Sequence, residues 1–585
     1  MTEIIREELN KGSEMKFAGG SDLVRQTQGP PQAIMKQLLN FYNQGQFSNV
    51  VEQANALLVQ YPETAIIWNI LGAAKKGLGL IEEASEAFKK LTELNPTDSE
   101  GFNNLGVTLC DKNELQEAIE AYNRALILDP TYAEAHYNMG VTFQKQGKLK
   151  DSIKAYNKAL SLKPDYPDAY NNLGNAFRDQ GQLEEAIKAF NKCLLFKPDY
   201  AEVYNNIGLA LHQQGKLSEA LEVYKKALSL KSDYPDAYNH IGNALKDQGE
   251  LKDAIDAYKT SLSLAPDYAL AHNNLSYAFL SSGRLREGLD EYEWRWKNPK
   301  NLSIERKFLK PTWDGEKSLK HKRILLWSEQ GVGDTINWAS ALSLITSQAE
   351  HCILECQEKL VPLLARSFPD VEVKPENRSL DLKRDDFDFH IPMGSLYRHF
   401  VKQISQNATA DPYLIPDPVR VNFWRKRLNS LAKGPYIGIS WTSSHKAPDR
   451  LPNYAPILDW SPLLMIPEVT FINLQYKDFA NDLIKIQNKL GVTVYNFDDL
   501  DHYNNLNDVA AFSAALDMVV SVKNTVPIIS SGVGTPTKLA NWRQSPWNNI
   551  IHNPVGRSVD IFERNTWESW DNVFRSIADD IRKLK

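Results

Sequence analysis

A chain of 585 residues exceeds a single hydrophobic core and calls for several domains. With 42% apolar and 24% charged residues and a formal charge of −6, it reads as globular and lacks the clustered positive charge of a nucleic-acid binder. No apolar run reaches the roughly 18–20 residues that span a bilayer. The charged stretch from Met1 to Lys16 lacks a signal-peptide core, so a cytoplasmic location is expected.

Residues 1–30, which carry a Gly-Gly pair and end at a Pro-Pro pair, read as a flexible tail. A 34-residue period follows. Pro62, Pro96, Pro130, Pro164, Pro198 and Pro266 lie on one grid, with Ser232 in the missing place. Ten residues after each of the first six grid points stands a glycine, from Gly72 to Gly242, and Ser276 takes the seventh place. Aromatics keep the same period at Phe88, Tyr122, Tyr156, Phe190, Tyr224, Tyr258 and Tyr292, and alanines at Ala84, Ala118, Ala186, Ala220 and Ala254. Small residues let paired helices approach, the aromatic is expected to plug the gap toward the next repeat, and proline marks each junction. A second glycine lane (Gly79, Gly147, Gly181, Gly215, Gly249, Gly283) turns the chain within a pair. This is the tetratricopeptide pattern, with about eight units starting near 31, 65, 99, 133, 167, 201, 235 and 269 and filling residues 31–300. The first unit is degenerate, and the last is expected to cap the stack.

On the first helices Asn104, Asn138, Asn172, Asn206 and Asn274 are in register, with His240 in the sixth place. Such helices line the concave groove of a repeat superhelix. Amides there offer both donors and acceptors to the backbone of an extended peptide, or they tie neighbouring helices together. Either way the repeats call for a protein or peptide partner.

After a linker at 301–320 the grammar changes to short β-rich runs alternating with amphipathic helices, the mark of parallel α/β sheets. A first lobe, 321–432, is expected to hold a strand at 323–327, a loop at 328–334, a helix at 335–348, strands around CILECQ and 389–393, and a helix at 358–367. A second lobe, 433–585, is expected to hold strands at 436–441, 470–475 and 518–522, a helix at 508–516 and a final helix from about 567. Open sheets of this kind bind ligands at the carboxyl ends of their strands.

Three strand-ending loops are the candidate binding elements. Gly331-Val332-Gly333-Asp334 permits close backbone approach and puts a carboxylate at a helix start, where it also serves as an N-cap. Thr442-Ser443-Ser444-His445-Lys446, reaching Arg450, is polar and basic, as a solvated loop or a phosphate site would be. Lys523-Asn524-Thr525-Val526-Pro527 opens a helix whose free amides would suit a pyrophosphate. Cys110 and Cys193 read as small apolar residues of repeat helices, and Cys352 and Cys356 share one face of a strand with no partner at zinc spacing. The pairs Asp386/Asp388 and Asp499/Asp501 have the spacing of one metal-binding motif and are also frequent by chance.

Tyr292-Glu293-Trp294-Arg295-Trp296, Pro311-Thr312-Trp313-Asp314-Gly315 and Glu329-Gln330-Gly331 with Gly333-Asp334-Thr335 resemble a bacterial group of proteins. That group joins tetratricopeptide repeats to a glycosyltransferase domain related to the heptosyltransferases of lipopolysaccharide assembly. Further matches are Gly438 to Trp441, Leu474-Gln475, Ala514 to Asp517 and Ser545-Pro546-Trp547. The overall plan is also similar to protein O-linked N-acetylglucosamine transferase. The resemblance implies an all-α tetratricopeptide superhelix followed by a two-lobed, Rossmann-like α/β domain of the GT-B type that works without a metal. A nucleotide diphosphate sugar would rest on the second lobe, at Ser443, Lys446, Arg450, Gln475, Lys523, Asn524 and Thr525, with the acceptor toward the first. Asp334 matches the proposed general base, with Gly331 and Gly333 as its glycine loop. The sequence departs from the family at Lys523, at Ile528 where relatives carry His, and at Ser531 where they carry Gly. Those departures keep an alternative open: a non-catalytic repeat scaffold with a degenerate transferase domain.

Overall fold

The computed structural model describes residues 29–298, 305–402, 412–431, 434–443, 454–477, 479–542, 559–564 and 568–583. Apart from Gly29 and Pro30, the expected tail lies outside the described residues. The chain divides into two compact units, residues 1–232 and 233–585.

In the first unit the described residues form twelve helices, from Gln32–Asn43 to Leu217–Leu230, whose pairs open at Gln32, Ala65, Ser99, Ala133, Pro167 and Ala201. The second unit adds pairs opening at Pro235 and Ala269. Each start lies within one residue of the 34-residue reading. The aromatic lane closes its own helix pair and also packs toward the next, Phe88 sharing a buried cluster with Leu105 and Leu109 and Tyr156 with Ala169 and Leu173. A methyl group added at Gly72 would lie 2.8 Å from the Phe88 ring, and the five later glycines of that lane meet their own aromatics in the same way. Ring against bare backbone is the closest approach two helices can make, which is why the two lanes keep phase. The turn glycines all adopt positive φ, from 72° at Gly147 to 92° at Gly249, and Asn113 (φ 65°) takes the place the lane leaves vacant.

The last repeat pair shares a core with the first sheet. Leu280, Leu289 and Tyr292 are buried in one cluster with Trp313, Trp338 and the first sheet's Ile324 and Leu326. That sheet contains β1 (Arg323–Trp327), β2 (His351–Cys356), β3 (Val371–Pro375) and β4 (Phe389–Pro392), all parallel in the order β3-β2-β1-β4. The linker extends it: Trp313 N donates to the His390 carbonyl at 2.8 Å and His390 N to the Pro311 carbonyl at 3.2 Å. The second sheet contains β5 (Tyr436–Ser440), β6 (Thr470–Asn473), β7 (Val494–Tyr495), β8 (Met518–Val522), β9 (Thr537–Trp542) and β10 (Val559–Arg564). Its order is β10-β9-β8-β5-β6-β7, again all parallel. Strands such as YIGIS and MVVSV are buried at every position, as expected when helices cover both faces.

Counted within itself, the second sheet runs 6-5-4-1-2-3, the strand order of dinucleotide-binding α/β sheets, and the first sheet runs 3-2-1-4. Each therefore has a switch point, between β5 and β8 in one and between β1 and β4 in the other. Several boundaries differ from expectation. The helix expected at 335–348 is two helices, Val332–Ala339 and Leu342–Thr346. Gly331 is extended (ψ 168°), so the chain enters the helix three residues early, and a tight turn from Ser340 N to the Asn337 carbonyl breaks it. The strand expected at 470–475 stops at Asn473, which leaves Gln475 in the loop beyond it. The helix expected at 508–516 starts at Leu506, because the Asn505 side chain caps it through Asp508 N (3.1 Å). Among the described residues no helix is long and apolar enough to cross a membrane.

Candidate functional site

At the switch point of the second sheet, the loops after β5, β6 and β8 are joined by side-chain amides. Gln475 is fully buried, and its Oε1 accepts from Ser440 Oγ (3.2 Å), Trp441 N (3.1 Å) and Thr442 N (3.0 Å). Among the described residues its Nε2 has no hydrogen-bond partner. Asn524 sits across the gap from β8. Its Nδ2 donates to Ser440 Oγ (2.8 Å) and to the Thr442 carbonyl (3.0 Å), while its Oδ1 caps the helix Thr525–Gly532 through Val526 N (2.9 Å). Ser443 Oγ lies 3.0 Å from the Tyr476 hydroxyl, and Lys523 is half-buried beside Asn524. Lys446, Arg450 and the Ser545-Pro546-Trp547 motif lie outside the described residues.

The helix start at 525 offers fewer amides than expected. Pro527 has no N–H and the Val526 N–H is capped by Asn524, which leaves the Thr525 N–H for a ligand in that first turn.

The glycine loop of the first sheet meets this helix. A methyl group at Gly333 would lie 3.2 Å from Ile528 Cδ1 and 3.3 Å from Thr525 Oγ1. Gly331 is the exposed N-cap, and Asp334 is half-buried in the first turn of Val332–Ala339. Gly331, Gly333, Asp334, Thr525 and Ile528 therefore fall on two helix starts packed against each other. Ile528 fills space against Gly333.

The switch point of the first sheet is filled by the protein's own charges. Arg295, 5% exposed, reaches from the end of the last repeat pair to Glu329 Oε1 (2.8 Å), Ser395 Oγ (2.7 Å), Glu293 Oε1 (2.6 Å) and the Tyr292 carbonyl (3.2 Å). Glu329 also accepts from Gly394 N at 3.3 Å. Burial pushes the Glu329 carboxyl up to about 7, against the pull of Arg295. Burial likewise holds the Tyr292 hydroxyl far above its usual range, with Glu329 and Asp334 adding to the effect. The Gln330 side-chain amide donates to that hydroxyl. The sequence motif YEWRW is thus the clamp on the EQG loop that carries Asp334, a link that no local pattern in the sequence could show.

In the repeats, the Asn lane ties helices together. Asn104 Nδ2 donates to Asn69 Oδ1 (3.3 Å), Asn138 Nδ2 to Asn103 Oδ1 (3.0 Å), Asn172 Nδ2 to the Tyr137 hydroxyl (2.9 Å) and Asn206 Nδ2 to Asn171 Oδ1 (3.0 Å). In the second unit Asn274 Nδ2 donates to Asn239 Oδ1 (2.9 Å), and His240 is half-buried. One N–H of each of these amides is therefore committed, and the second N–H and the carbonyl oxygen are what remains for a peptide. The sequence signal for this was the doubled Asn at 103–104 and 171–172, whose first member serves the next repeat as acceptor; at 205–206, where His240 holds the next lane position, Asn205 Oδ1 has no such donor among the described residues.

The aspartate pairs are engaged by protein groups. Asp386 binds Arg384, Asp388 accepts from Arg323 N (2.9 Å), Asp499 pairs with Arg427 at 2.5 Å, and Asp501 accepts from Tyr503 N (3.0 Å) and Asn504 N (2.9 Å). Among the described residues no three metal-ligating side chains cluster, and all four cysteines are buried and unpaired.

Models of the tetratricopeptide repeat match residues 65–98 and 87–120, and a TPR repeat model matches 108–147, 143–177, 174–215, 208–249 and 242–283. Protein FlbA of Caulobacter vibrioides (strain ATCC 19089 / CIP 103742 / CB 15) is 30% identical over 290 residues, 46% of this chain, which spans about half (48%) of that relative. Among solved structures, MamA is 33% identical with a TM-score of 0.27, covering 28% of this chain and 95% of MamA. YrrB, a TPR protein with an unusual peptide-binding site, is 25% identical with a TM-score of 0.28, covering 32% of this chain and 96% of its own. Residues 65–283 are tetratricopeptide repeats, the architecture of a protein–protein interaction scaffold.

Proposed function

We propose that the chain is an inverting glycosyltransferase, moving a sugar from a nucleotide diphosphate sugar to a protein or glycan acceptor recruited by its repeats. The observation that carries this reading is the switch point between β5 and β8. A sheet with dinucleotide-binding strand order presents there a cluster of amides and hydroxyls, including a fully buried Gln475 whose N–H groups have no acceptor. An unpaired buried amide costs about 1–3 kcal/mol, and a bound diphosphate or sugar hydroxyl would remove that penalty. In this reading the donor lies over Ser443, Gln475, Lys523, Asn524 and Thr525. Asp334 takes the proton from the acceptor hydroxyl as its oxygen attacks the anomeric carbon from the side opposite the leaving diphosphate. Lys523 and the Thr525 N–H stabilise the charge that develops on that leaving group. The nucleotide sugar is a co-substrate, and the reading needs no metal.

One observation favours a second reading, a non-catalytic scaffold. Ile528 packs at Gly333 where relatives place a His, and Asn524 is committed to bonds within the protein. A thermal-shift screen of nucleotide diphosphate sugars and free nucleotides tests both. A ligand at 100 times its dissociation constant adds about 2.7 kcal/mol to the stability of what it binds. A shift with one donor, followed by transfer that disappears in Asp334→Asn, is the expected result. If no donor shifts the protein at millimolar concentration, the scaffold replaces the transferase.

A further inference from the structure

A cavity lies beside the first switch point, sharing Glu293 and Ser395 with the Arg295 cluster, at the β4 edge of the first sheet and under the linker strand. Its volume is about 530 Å³, within the range of about 300–1,000 Å³ typical of small-molecule sites. The floor is aromatic. Phe308 packs on His390 (ring centroids 4.5 Å apart), and Trp296 and Phe308 flank Trp327 at 5.7 and 6.3 Å. Trp327 Nε1–H donates to His390 Nδ1 at 3.3 Å, which fixes that ring as a neutral imidazole with its proton on Nε2. Burial keeps His390 and His399 neutral, lowering each to about 4.

The rim is polar and mixed in sign. Asp314 supplies an acceptor and Lys310 donors, while Glu293 and Arg398 face the cavity as an ion pair (3.4 Å), with Glu293 also held by Arg295 and Ser395. Thr312 and His399 do both. Arg306, which also faces the cavity, is committed to Glu355 (2.7 Å) and Asp381 (2.9 Å) beneath it and adds no free charge. Lys310 has no ion-pair partner and the His399 ring has no hydrogen-bond partner among the described residues.

Three ligand classes can be weighed against this lining. An anion would meet Glu293 and Asp314 as well as the cations. A purely apolar molecule would desolvate the rim without replacing its hydrogen bonds. A sugar ring offers a C–H face to the aromatic floor and hydroxyls that both donate and accept to a rim of both kinds. We propose that this cavity is a carbohydrate-binding site, distinct from the donor position on the second sheet. The proposal stands whether or not the chain transfers sugar.

The test uses the full chain without nucleotide. Methyl glycosides of glucose, galactose, mannose, rhamnose and N-acetylglucosamine, and disaccharides of each, are titrated by saturation-transfer NMR and tryptophan fluorescence. The expected result is saturable binding of at least one, weakened tenfold or more in Phe308→Ala and severalfold in Lys310→Ala. Lys310 is partly exposed and makes no ion pair, so its variant keeps the test open if Phe308→Ala fails to fold. No saturable binding at tens of millimolar, or binding that both variants leave unchanged, overturns the proposal. So does binding confined to phosphorylated sugars added as controls.

Discussion

The two sheets share a topology and differ at the same topological place. Between β1 and β4 the first sheet holds its own Arg295–Glu329 pair. Between β5 and β8 the second holds neutral amides and hydroxyls, one of them without a partner. A switch point is a gap left where the strand order reverses, and something polar must fill it. In the first sheet the chain fills the gap with charge from the end of its repeats, which fixes the loop leading to Asp334. In the second the gap remains suited to a ligand. Under the proposed function one sheet positions and the other binds, and each part of that division can be broken by substitution.

The largest effect is expected at the carboxylate itself. Asp334→Asn should slow transfer by about 10²–10⁴-fold, the usual contribution of a positioned base. If the donor rests on the second sheet as proposed, the donor-induced thermal shift should persist. Loss of the shift together with the rate would place donor binding on the first sheet and undo the division of labour. Next comes Arg295→Met. It strands Glu329 in a buried site and should cost about 3–5 kcal/mol in denaturant unfolding, with most of the loss recovered in Arg295→Met/Glu329→Leu. A fall under 1 kcal/mol would mean that the first switch point is not closed by this pair.

Titration sharpens the same contrast. Because burial raises the native Glu329 carboxyl to about 7, the folded state holds that proton more tightly than the unfolded chain does. The resulting stabilisation is complete below about pH 4 and is lost as pH rises toward 7. At about 1.4 kcal/mol per unit, the window is worth about 3 kcal/mol. Stability of Glu329→Gln minus that of the native protein should therefore rise by this order between pH 4.5 and 8. A flat difference would show that Arg295 holds the carboxylate ionised throughout.

How much of this was legible in the sequence follows from how local each feature is. The repeats were readable because every unit repeats one steric problem, ring against glycine, so the period itself announces the contact. The strands β1, β2, β4, β5, β6 and β8 were readable as buried apolar runs. β3, with its half-exposed VEVKP, β7, only two residues long, and β9 and β10 carried no such signal. The site loops were named correctly as strand ends, but their partners were not. Gly333 against Ile528, and Arg295 on Glu329 from 34 residues away, join segments that only tertiary folding brings together. The Asn lane shows the same limit: its register was visible, but the direction of its hydrogen bonds was not.

That lane supplies the smallest and most discriminating test. It too divides polar groups between those the fold uses and those it leaves, since one N–H of each amide is committed to the preceding repeat while the other N–H and the carbonyl oxygen are not. Asn138→Ala and Asn103→Ala both remove the 3.0 Å bond from Asn138 Nδ2 to Asn103 Oδ1, and each should cost about 1 kcal/mol of stability. Only Asn138→Ala also removes the uncommitted acceptor, because Asn103 is buried beneath it at 2% exposure. If the lane holds a peptide backbone, an extended peptide captured by the repeats should bind several-fold more weakly to Asn138→Ala and unchanged to Asn103→Ala. Equal affinities in the two variants would make the lane a tie between helices and nothing more, and would move the partner surface elsewhere on the repeats.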